Sequence, residues 1–284
     1  MQSSRYHILH ASNALGRVRP TRPMDQGIPV VAVMQIVIPT RGRTHQQLTL
    51  QSLPRELSKR TTIVCPKREA VRLSCLYEDV EIVVQPDPDW KIAQKRDWIV
   101  REWLRCGYDK IIMLDDDLRF ATRVSADDWH LREIKGDELI SEFQRIETKL
   151  GPDFPHVGFG QRQNNHALKA GWRSPARILC ALAYYLPIVT KECRFDLVEL
   201  HEDICVTLQL LLKGYSNAIW TKTVVDQRGF NLPGGVSTYR TAEMSNAEAR
   251  KLTELFPGYV SVVQRDYKAS FPRLAVIVRW PEGT

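Results

Sequence analysis

The chain has 284 residues, of which 43 % are hydrophobic and 26 % are charged. This composition is typical of a globular protein and excludes intrinsic disorder over most of the chain. No apolar run approaches the roughly 18–20 residues of a membrane-spanning helix. No apolar signal-peptide stretch occurs in the first thirty residues, so we expect cytoplasmic residence. The net charge of +7 is compatible with a polyanionic partner such as nucleic acid, although solubility alone also accounts for it.

The cysteines follow no metal-binding or redox pattern. None are spaced as C-x-x-C, and most lie among apolar residues. We therefore expect reduced, mostly buried thiols and no zinc site. They are Cys65, Cys75, Cys106, Cys180, Cys193 and Cys205.

The first half of the chain alternates between strand and helix patterns. Residues 1–29 are poor in large apolar side chains and rich in arginine, which predicts a basic amino-terminal arm. Apolar, β-branched runs typical of strands buried on both faces of a parallel sheet follow at 30–39, 61–66, 80–86 and 110–114. Helical patterns lie between them at 45–58, 67–77 and 91–106. This alternation predicts an α/β layered domain with right-handed crossovers.

The second half of the chain is more mixed. The pattern predicts a helix at 136–150, strands at 156–160 and 178–189, a helix at 200–213 closed by Gly214, and a strand at 217–225. A loop rich in glycine follows at 226–240, and Ser245 with Glu248 resembles a capping box for a helix over 245–255. No internal repeat or linker is evident, so we expect one domain over 30–284.

Three adjacent carboxylates, Asp115, Asp116 and Asp117, come directly after the apolar run 110–114. Adjacent carboxylates repel one another and persist where positive charge lies among them. In open α/β sheets, ligands bind at the carboxyl ends of the strands. Hard oxygen ligands suit Mg²⁺ or Mn²⁺, which bind phosphates together with one or two carboxylates. The triplet therefore predicts a metal–phosphate site, with a solvated acidic turn as the alternative.

Arg96 lies on the apolar stripe of the predicted helix 91–106. Its spacing places it on the same face as Ile92, Ile99 and Trp103. A buried arginine needs an anionic partner. The acidic triplet or a bound phosphate would supply one, and a purely structural salt bridge is the alternative.

The turn after the first predicted strand carries polar and basic groups, in the order Pro39, Thr40, Arg41, Gly42 and Arg43. Its backbone amides, the hydroxyl of Thr40 and the guanidinium of Arg41 are suited to a nucleotide or its phosphates. The spacings of a dinucleotide fingerprint and of a P-loop are both absent.

A second acidic group, Glu202 with Asp203, follows His201 at the start of the predicted helix 200–213. The helix dipole favours carboxylates in the first turn, which is the structural interpretation. The functional interpretation is a general base that removes a proton from an attacking hydroxyl. Adjacent acids point in different directions around a helix, so one can be catalytic while the other is structural.

Two further segments are candidates for contact with an acceptor. Gly234 and Gly235, in the loop 226–240, would allow close backbone approach or a mobile lid. Residues 158–166 are dense in amide side chains that can hydrogen-bond a polar acceptor. An ordinary surface loop and an ordinary turn between strands are the alternatives.

Taken in order, these motifs resemble those of the GT-A glycosyltransferases, near the broad inverting family two. The matching segments are IVIPTRGR, AQKRD at Ala93–Asp97, IIMLDDD and HEDICVTLQLLLKGYSNAIW. The resemblance covers 30–225 and implies a Rossmann-like nucleotide-diphospho-sugar transferase fold, with a central, mostly parallel sheet flanked by helices. It divides the domain into a nucleotide-binding half, 30–120, and an acceptor-binding half, 121–284. The acceptor motif and membrane helices of polysaccharide synthases are absent from the sequence.

The sequence is also similar to a narrower group, the bacteriophage glycosyltransferases associated with TET/JBP-type DNA hydroxylases. The matching features are the acidic triplet, the HED segment, and Asn231 followed by Gly234 and Gly235. This similarity implies transfer of a sugar from a nucleotide-sugar such as a UDP-sugar to a 5-hydroxymethylpyrimidine in DNA, preferably 5-hydroxymethylcytosine. The expected partners are that donor and modified DNA, without a membrane. The protein is expected to be a monomer or weak oligomer in the host cytoplasm.

The resemblance also implies roles for individual residues. Asp117 with Asp115 would hold Mn²⁺ or Mg²⁺ as a D-x-D motif. Asp203, or less favoured Glu202, would deprotonate the acceptor hydroxyl, which gives inversion. Residues expected to contact the nucleotide-sugar are Pro39, Thr40, Arg41, Arg43, Arg96, Asp115 and Asp116. Residues expected to contact the acceptor are Gly160, Gln161, Trp172, Gly234 and Gly235.

Other classes of protein stay open at this point. A GT-A glycosyltransferase that acts on a glycan or a protein would carry the same motifs. A sugar-nucleotide nucleotidyltransferase has a similar α/β shape, but TRGR fits poorly with the glycine-rich basic loop expected after its first strand. The intact acidic groups at 115–117 and 202–203 argue against a DNA-binding module that has lost its activity.

Overall fold

A computed structural model describes residues 33–163, 168–227, 233–265 and 273–281. The expected basic arm at 1–29 lies outside these residues, as does Asn231. Among the helices of the described residues, none is long and apolar enough to cross a membrane.

One large sheet forms the centre of the molecule. Its strands are β1 (Gln35–Pro39), β2 (Thr61–Cys65), β3 (Glu81–Val84), β4 (Lys110–Leu114), β5 (Leu118–Arg123), β6 (Leu131–Glu133), β7 (His156–Gln161), β8 (Trp172–Arg173), β9 (Ala181–Tyr185) and β10 (Asn217–Gln227). They are ordered β3-β2-β1-β4-β9-β7-β10-β5-β6, and β8 pairs with β10. Strands β3, β2, β1 and β4 run parallel to one another, and β7 is parallel to β10. Strands β9, β5 and β8 are antiparallel to the strands with which they pair.

Helices cover both faces of this sheet. They are α1 (Leu48–Ser52), α2 (Arg55–Ser58), α3 (Lys67–Leu76), α4 (Ile92–Arg105), α5 (Gly136–Lys149), α6 (Leu186–Glu192), α7 (Glu202–Leu212) and α8 (Ala242–Leu255). A separate hairpin of β11 (Val260–Arg265) and β12 (Arg273–Val278) packs on α8. The expected α/β fold with a central sheet flanked by helices is therefore confirmed.

The core forms two layers because side chains alternate along each strand. In β1, Ile36 and Ile38 belong to the cluster that includes Phe143 of α5. The intervening Val37 belongs to the opposite cluster, with Ile99 of α4. All of these side chains are buried. Burial on both faces explains why β1 appears in the sequence as an uninterrupted apolar run.

Several expected element boundaries differ from the structure. The helix expected over 45–58 is divided into α1 and α2, because Pro54 disfavours helical backbone at the residue before it. The strand expected over 178–189 ends at Tyr185, and its remaining residues form α6. The strand expected over 217–225 continues to Gln227.

The capping box expected at Ser245 is wrong. Thr241 caps α8 instead, and its hydroxyl accepts a hydrogen bond from the Met244 amide at 3.1 Å. The helix thus begins one turn before the expected box. Gly214 does adopt the left-handed backbone expected after α7, with φ of 86°.

The acidic triplet forces the sheet to curl at its carboxyl edge. It connects Leu114, the last residue of β4, to Leu118, the first residue of β5. Four strand spacings separate these strands in the order β4-β9-β7-β10-β5, which is about 19 Å in a flat sheet. The connecting chain spans at most about 14 Å. The ends of β7, β9 and β10 therefore lie inside a concave edge.

Candidate active site

A cleft of about 690 Å³ opens at this concave edge, between the two halves of the chain. Both acidic groups identified in the sequence contribute to its lining. The expected site residues that line it are Pro39, Thr40, Arg41, Arg43, Arg96, Asp115, Asp116, Asp117, Gln161, Glu202 and Gly235. The structure thus brings together most of the residues that the sequence assigned to the donor.

The loop after β1 is held in place by groups from three other elements. The Thr40 hydroxyl donates a hydrogen bond to Asp116, and Lys95 Nζ of α4 donates to the Thr40 carbonyl at 2.8 Å. Glu69 of α3 accepts from the Gly42 amide at 2.8 Å. These contacts fix the backbone of the loop, so that its arginines project from a rigid base.

Two arginines neutralise the acidic triplet. Arg43 Nη1 lies 2.6 Å from Asp116 Oδ1 and 2.9 Å from Asp117 Oδ2. Arg96, buried on α4, donates from Nη2 to Asp115 Oδ1 at 2.7 Å. This confirms that positive charge lies among the three carboxylates. The second nitrogen of Arg96, Nη1, donates to Glu202 Oε1 at 2.5 Å.

Burial shifts the ionisation of these carboxyl groups. It raises the pKa of Asp116 to about 6, against the opposing effects of Arg43 and the Thr40 hydroxyl. Burial also raises the pKa of Asp115, although Arg96 opposes this rise. Burial likewise raises the pKa of Glu202, where Arg96 opposes the rise and the nearby Asp203 adds to it. The arginines therefore offset only part of the cost of burying these carboxyl groups.

The carboxylates fit a hard divalent cation. Asp117 Oδ1 is buried and has no hydrogen-bond partner among the described residues. Asp115, two residues earlier, lines the same cleft. Over that same part of the chain, no group of three or more metal-ligating side chains converges. One or two carboxylates are what Mg²⁺ uses when phosphate oxygens and water complete its coordination.

Glu202 and Asp203 are the first two residues of α7. Glu202 lines the cleft and is held by Arg96. Asp203 is also buried, and its Oδ2 lies 3.6 Å from Arg177 Nη2 without a hydrogen-bond partner among the described residues. Arg177 lines the cleft and its side chain is 43 % exposed. It therefore separates the Asp203 carboxylate from the open cleft.

The glycine pair packs against the loop after β1. The Gly235 amide donates to the Arg41 carbonyl at 2.6 Å. Gly234 has φ of 102°, and a Cβ added there would lie 2.5 Å from Arg43 Cγ. Both glycines thus allow close backbone approach, as expected, but their contact is with the nucleotide-side loop rather than with an open acceptor surface.

Comparison with known proteins identifies the family. A family model described as TET-Associated Glycosyltransferase matches residues 34–234, most of the chain. The chain belongs to this family. The similarity to TET/JBP-associated glycosyltransferases is thereby confirmed, and this TET-associated glycosyltransferase is a transferase whose family implies a nucleotide-sugar donor.

No curated protein matches the sequence. Solved structures similar to this TET-associated glycosyltransferase include a mannose-1-phosphate geranyltransferase from Thermus thermophilus. It shares 11 % identity at a TM-score of 0.42, over 69 % of this chain and 76 % of that one. A mycobacterial protein shares 10 % identity at a TM-score of 0.43, over 96 % of this chain and 89 % of the other.

Some expected site residues lie outside the cleft lining of the glycosyltransferase. Trp172 packs against Trp220, with ring centroids 5.2 Å apart, and against the core. Gly160 lies within the sheet, where an added Cβ would be 3.4 Å from Thr221 and Trp220 backbone atoms. Among the described residues, Gly234 and Asp203 also lie behind the lining.

Sequence reasoning missed several cleft residues. Their roles depend on contacts between distant segments, which no local motif shows. They are Trp90, Lys95, Arg177, Cys180, Gln227 and Tyr239. Only Lys95 carried a usable signal, because it adjoins Arg96 on a helix that was expected to face the site.

Proposed function

We propose that this TET-associated glycosyltransferase transfers a sugar from a UDP-sugar to the hydroxyl of 5-hydroxymethylcytosine in DNA, with Mn²⁺ or Mg²⁺ as cofactor. The observation that carries this proposal is that two acidic groups meet in one cleft, where Arg96 bonds to both Asp115 and Glu202. Asp115–Asp117, with its two arginines, suits the donor diphosphate, and Glu202–Asp203 suits the acceptor hydroxyl. The membership in the family supports the same assignment.

The donor side of the cleft carries the positive charge that an anion requires. Arg41, Arg43, Lys95 and Arg96 all line it, and guanidinium groups match phosphate geometry well. Asp115 and Asp117 would hold the cation, which when bound neutralises the charge on the departing diphosphate. Because Thr40 and Gly42 are fixed by neighbouring elements, the phosphate-binding groups are positioned before the donor arrives.

On the acceptor side, Asp203 takes the proton of the attacking hydroxyl. Glu202 is held by Arg96, whereas Asp203 Oδ2 has no hydrogen-bond partner among the described residues. The hydroxyl oxygen forms a bond to the anomeric carbon as the bond to the diphosphate oxygen breaks. Attack from the side opposite the leaving group inverts the anomeric centre. The acceptor must displace the exposed side chain of Arg177 to reach Asp203.

A DNA acceptor requires that the base leave the duplex stack or be approached in the major groove, where the 5-hydroxymethyl group projects. A concave cleft favours extrusion, because a base within the duplex cannot enter it. Arg177 and Arg240 line the cleft, and the chain carries a net charge of +7. Binding through phosphate contacts would then weaken steeply with salt.

The test uses matched duplexes that contain cytosine, 5-hydroxymethylcytosine or 5-hydroxymethyluracil. Each is incubated with the protein, Mn²⁺ and a mixture of nucleotide-sugars, digested, and analysed by mass spectrometry of its nucleosides. A hexose- or pentose-sized mass gain on 5-hydroxymethylcytosine alone is the expected result. Release of nucleoside diphosphate without a mass gain would overturn the DNA acceptor and favour a glycan or protein acceptor.

A further inference from the structure

Two glutamines end neighbouring strands at the edge of the cleft. Gln161 is the last residue of β7 and Gln227 the last of β10, and these strands are parallel partners. Both side chains line the cleft. Because the sheet curls at this edge, the two amides lie within the concavity that the acidic triplet spans. They are polar groups that the proposed chemistry has not used.

The thiol of Cys180 lies between the two amides. Its Sγ is 3.7 Å from Gln161 Nε2 and 3.8 Å from Gln227 Oε1. Gln227 Nε2 also lies 3.4 Å from Asp117 Oδ2. Both ends of the Gln227 carboxamide therefore have neighbours. Gln161 Oε1, in contrast, has no hydrogen-bond partner among the described residues, so an acceptor oxygen is available beside the acidic triplet.

We propose that Gln161 recognises the Watson–Crick edge of the extruded acceptor base and selects cytosine over uracil. Its free carboxamide oxygen accepts a hydrogen bond from the 4-amino group of cytosine, and its amide N–H donates to the ring N3. Uracil presents a 4-oxo group and an N3–H instead. Because the Gln161 Nε2 contact with Cys180 Sγ sets the orientation of the carboxamide, like groups would face each other. This inference rests on the proposed DNA acceptor and deepens it by naming the group that is recognised.

The chemistry of carboxamides and carboxylates supports this recognition. A glutamine side chain pairs with the amino group and ring nitrogen of adenine, and a glutamate accepts from the amino group of cytosine. Gln227 acts as a positioning residue, since it meets the thiol that contacts Gln161 and the carboxylate of Asp117. The base edge is thereby read next to the donor carboxylates, where the 5-substituent of the base must react.

Binding of single-stranded oligonucleotides tests the inference without a donor. Single strands are used because no duplex then has to be opened before the base can enter the cleft. Fluorescence anisotropy compares strands with one central 5-hydroxymethylcytosine or 5-hydroxymethyluracil on the full-length protein. The variants are Gln161→Met, Gln161→Glu and Gln144→Met, the last at an exposed position of α5. Thermal denaturation checks that each variant folds.

The wild type is expected to bind the cytosine strand about fivefold to tenfold more tightly, the effect of one or two hydrogen bonds. Gln161→Met should bring the two affinities together. Gln161→Glu should also lose most of the preference, because its carboxylate accepts from uracil N3–H as readily as from the cytosine amino group and has no N–H for the ring N3. Gln144→Met should behave as the wild type.

The outcomes separate the two proposals. Absence of any strand binding by the wild type would overturn the DNA acceptor itself. Binding without base preference, or a preference that survives in folded Gln161→Met, would overturn the role of Gln161 while the DNA acceptor stands. A cytosine preference retained in folded Gln161→Glu would overturn the pairing of the Gln161 amide N–H with the ring N3.

Discussion

Arg96 and Asp115 form an ion pair at the centre of the cleft, with Nη2 and Oδ1 2.7 Å apart. The same guanidinium binds Glu202 from its other terminal nitrogen. One buried positive charge therefore connects the acidic group on the donor side with the acidic group on the acceptor side. The sequence left open whether Arg96 forms a structural salt bridge or belongs to the acidic site. It does both.

Replacing Arg96 by methionine should destabilise the fold by about 3–5 kcal/mol, the cost of leaving buried charge without its partner. Urea denaturation would measure this change. The control is Arg132→Met, where an exposed ion pair with Glu138 is removed and about 1 kcal/mol or less is expected. Equal losses in the two variants would show that the carboxylates do not depend on Arg96.

Asp117→Asn should weaken the binding of Mn²⁺ together with UDP. The substitution keeps the shape of the side chain but removes the charge of a carboxylate whose Oδ1 has no partner among the described residues. A loss of at least about tenfold is expected, since even groups that only support metal ligands act in that range. Isothermal titration with Mn²⁺ and UDP measures it, and Asp127→Asn, on an exposed turn, is the control. An unchanged affinity would place the metal elsewhere.

Asp203→Asn should reduce kcat on a hydroxymethylated duplex by about 10²–10⁴-fold, the usual contribution of a general base. Glu202→Gln should reduce it less, because that carboxylate is already engaged by Arg96. Affinity for UDP with Mn²⁺ should change little in Asp203→Asn. If Glu202→Gln shows the larger loss in kcat, the base assignment has to be reversed.

The sequence predicted those parts of the molecule in which a local pattern carries the information. The runs at β1, β2 and β4 were found because burial on both faces leaves an unbroken apolar segment. Strand β5 was missed, since its sequence LRFATR includes Arg123, which is buried and bonds the Leu168 carbonyl. A core strand that contains a buried, hydrogen-bonded arginine has the sequence pattern of a polar loop.

The same distinction holds for the cleft. The acidic triplet and Arg96 could be identified because each follows or shares an apolar pattern. Gln227 and Arg177 could not, because their significance comes from Asp117 and Asp203, which are distant in the chain. Trp172 shows the opposite case: it was expected to contact the acceptor, whereas its ring packs on Trp220.

Gly234→Ala should impair donor binding as well as stability. A Cβ at this position would lie 2.5 Å from Arg43 Cγ, so Arg43 must shift away from Asp116 and Asp117. Gly258 also has positive φ, but its Cβ would meet nothing within 4 Å. Gly258→Ala should lose about 1–2 kcal/mol from backbone strain. Gly234→Ala should lose more, because φ of 102° with ψ of 177° is a backbone conformation essentially confined to glycine. Only Gly234→Ala should bind UDP with Mn²⁺ more weakly. Thermal denaturation measures the stability, and titration measures the affinity for UDP with Mn²⁺. Equal affinity in both variants would contradict the dependence of the Arg43 position on Gly234.

His156 should make the protein sensitive to acid. Its imidazole stacks on Tyr184 at 4.5 Å and donates from Nδ1 to the Ala183 carbonyl at 3.0 Å. Burial lowers its pKa from 6.5 to about 4. Between these values the unfolded chain binds a proton that the folded protein excludes. Stability therefore falls as the pH decreases through 6.5, by about 3 kcal/mol in full at pH 4 and below.

Urea denaturation of the wild type and His156→Gln at pH 7 and pH 5 isolates this contribution. The glutamine variant is less stable at pH 7 because the ring and its packing are lost. The difference in the free energy of unfolding between the wild type and this variant should be about 2 kcal/mol smaller at pH 5. Only the wild type is destabilised there, because the imidazole of its unfolded chain takes up a proton. His45→Gln, at an exposed position, should show no such narrowing. A constant deficit across this range would mean that His156 takes up its proton in the folded state, and that the Tyr184 ring tolerates a charged neighbour.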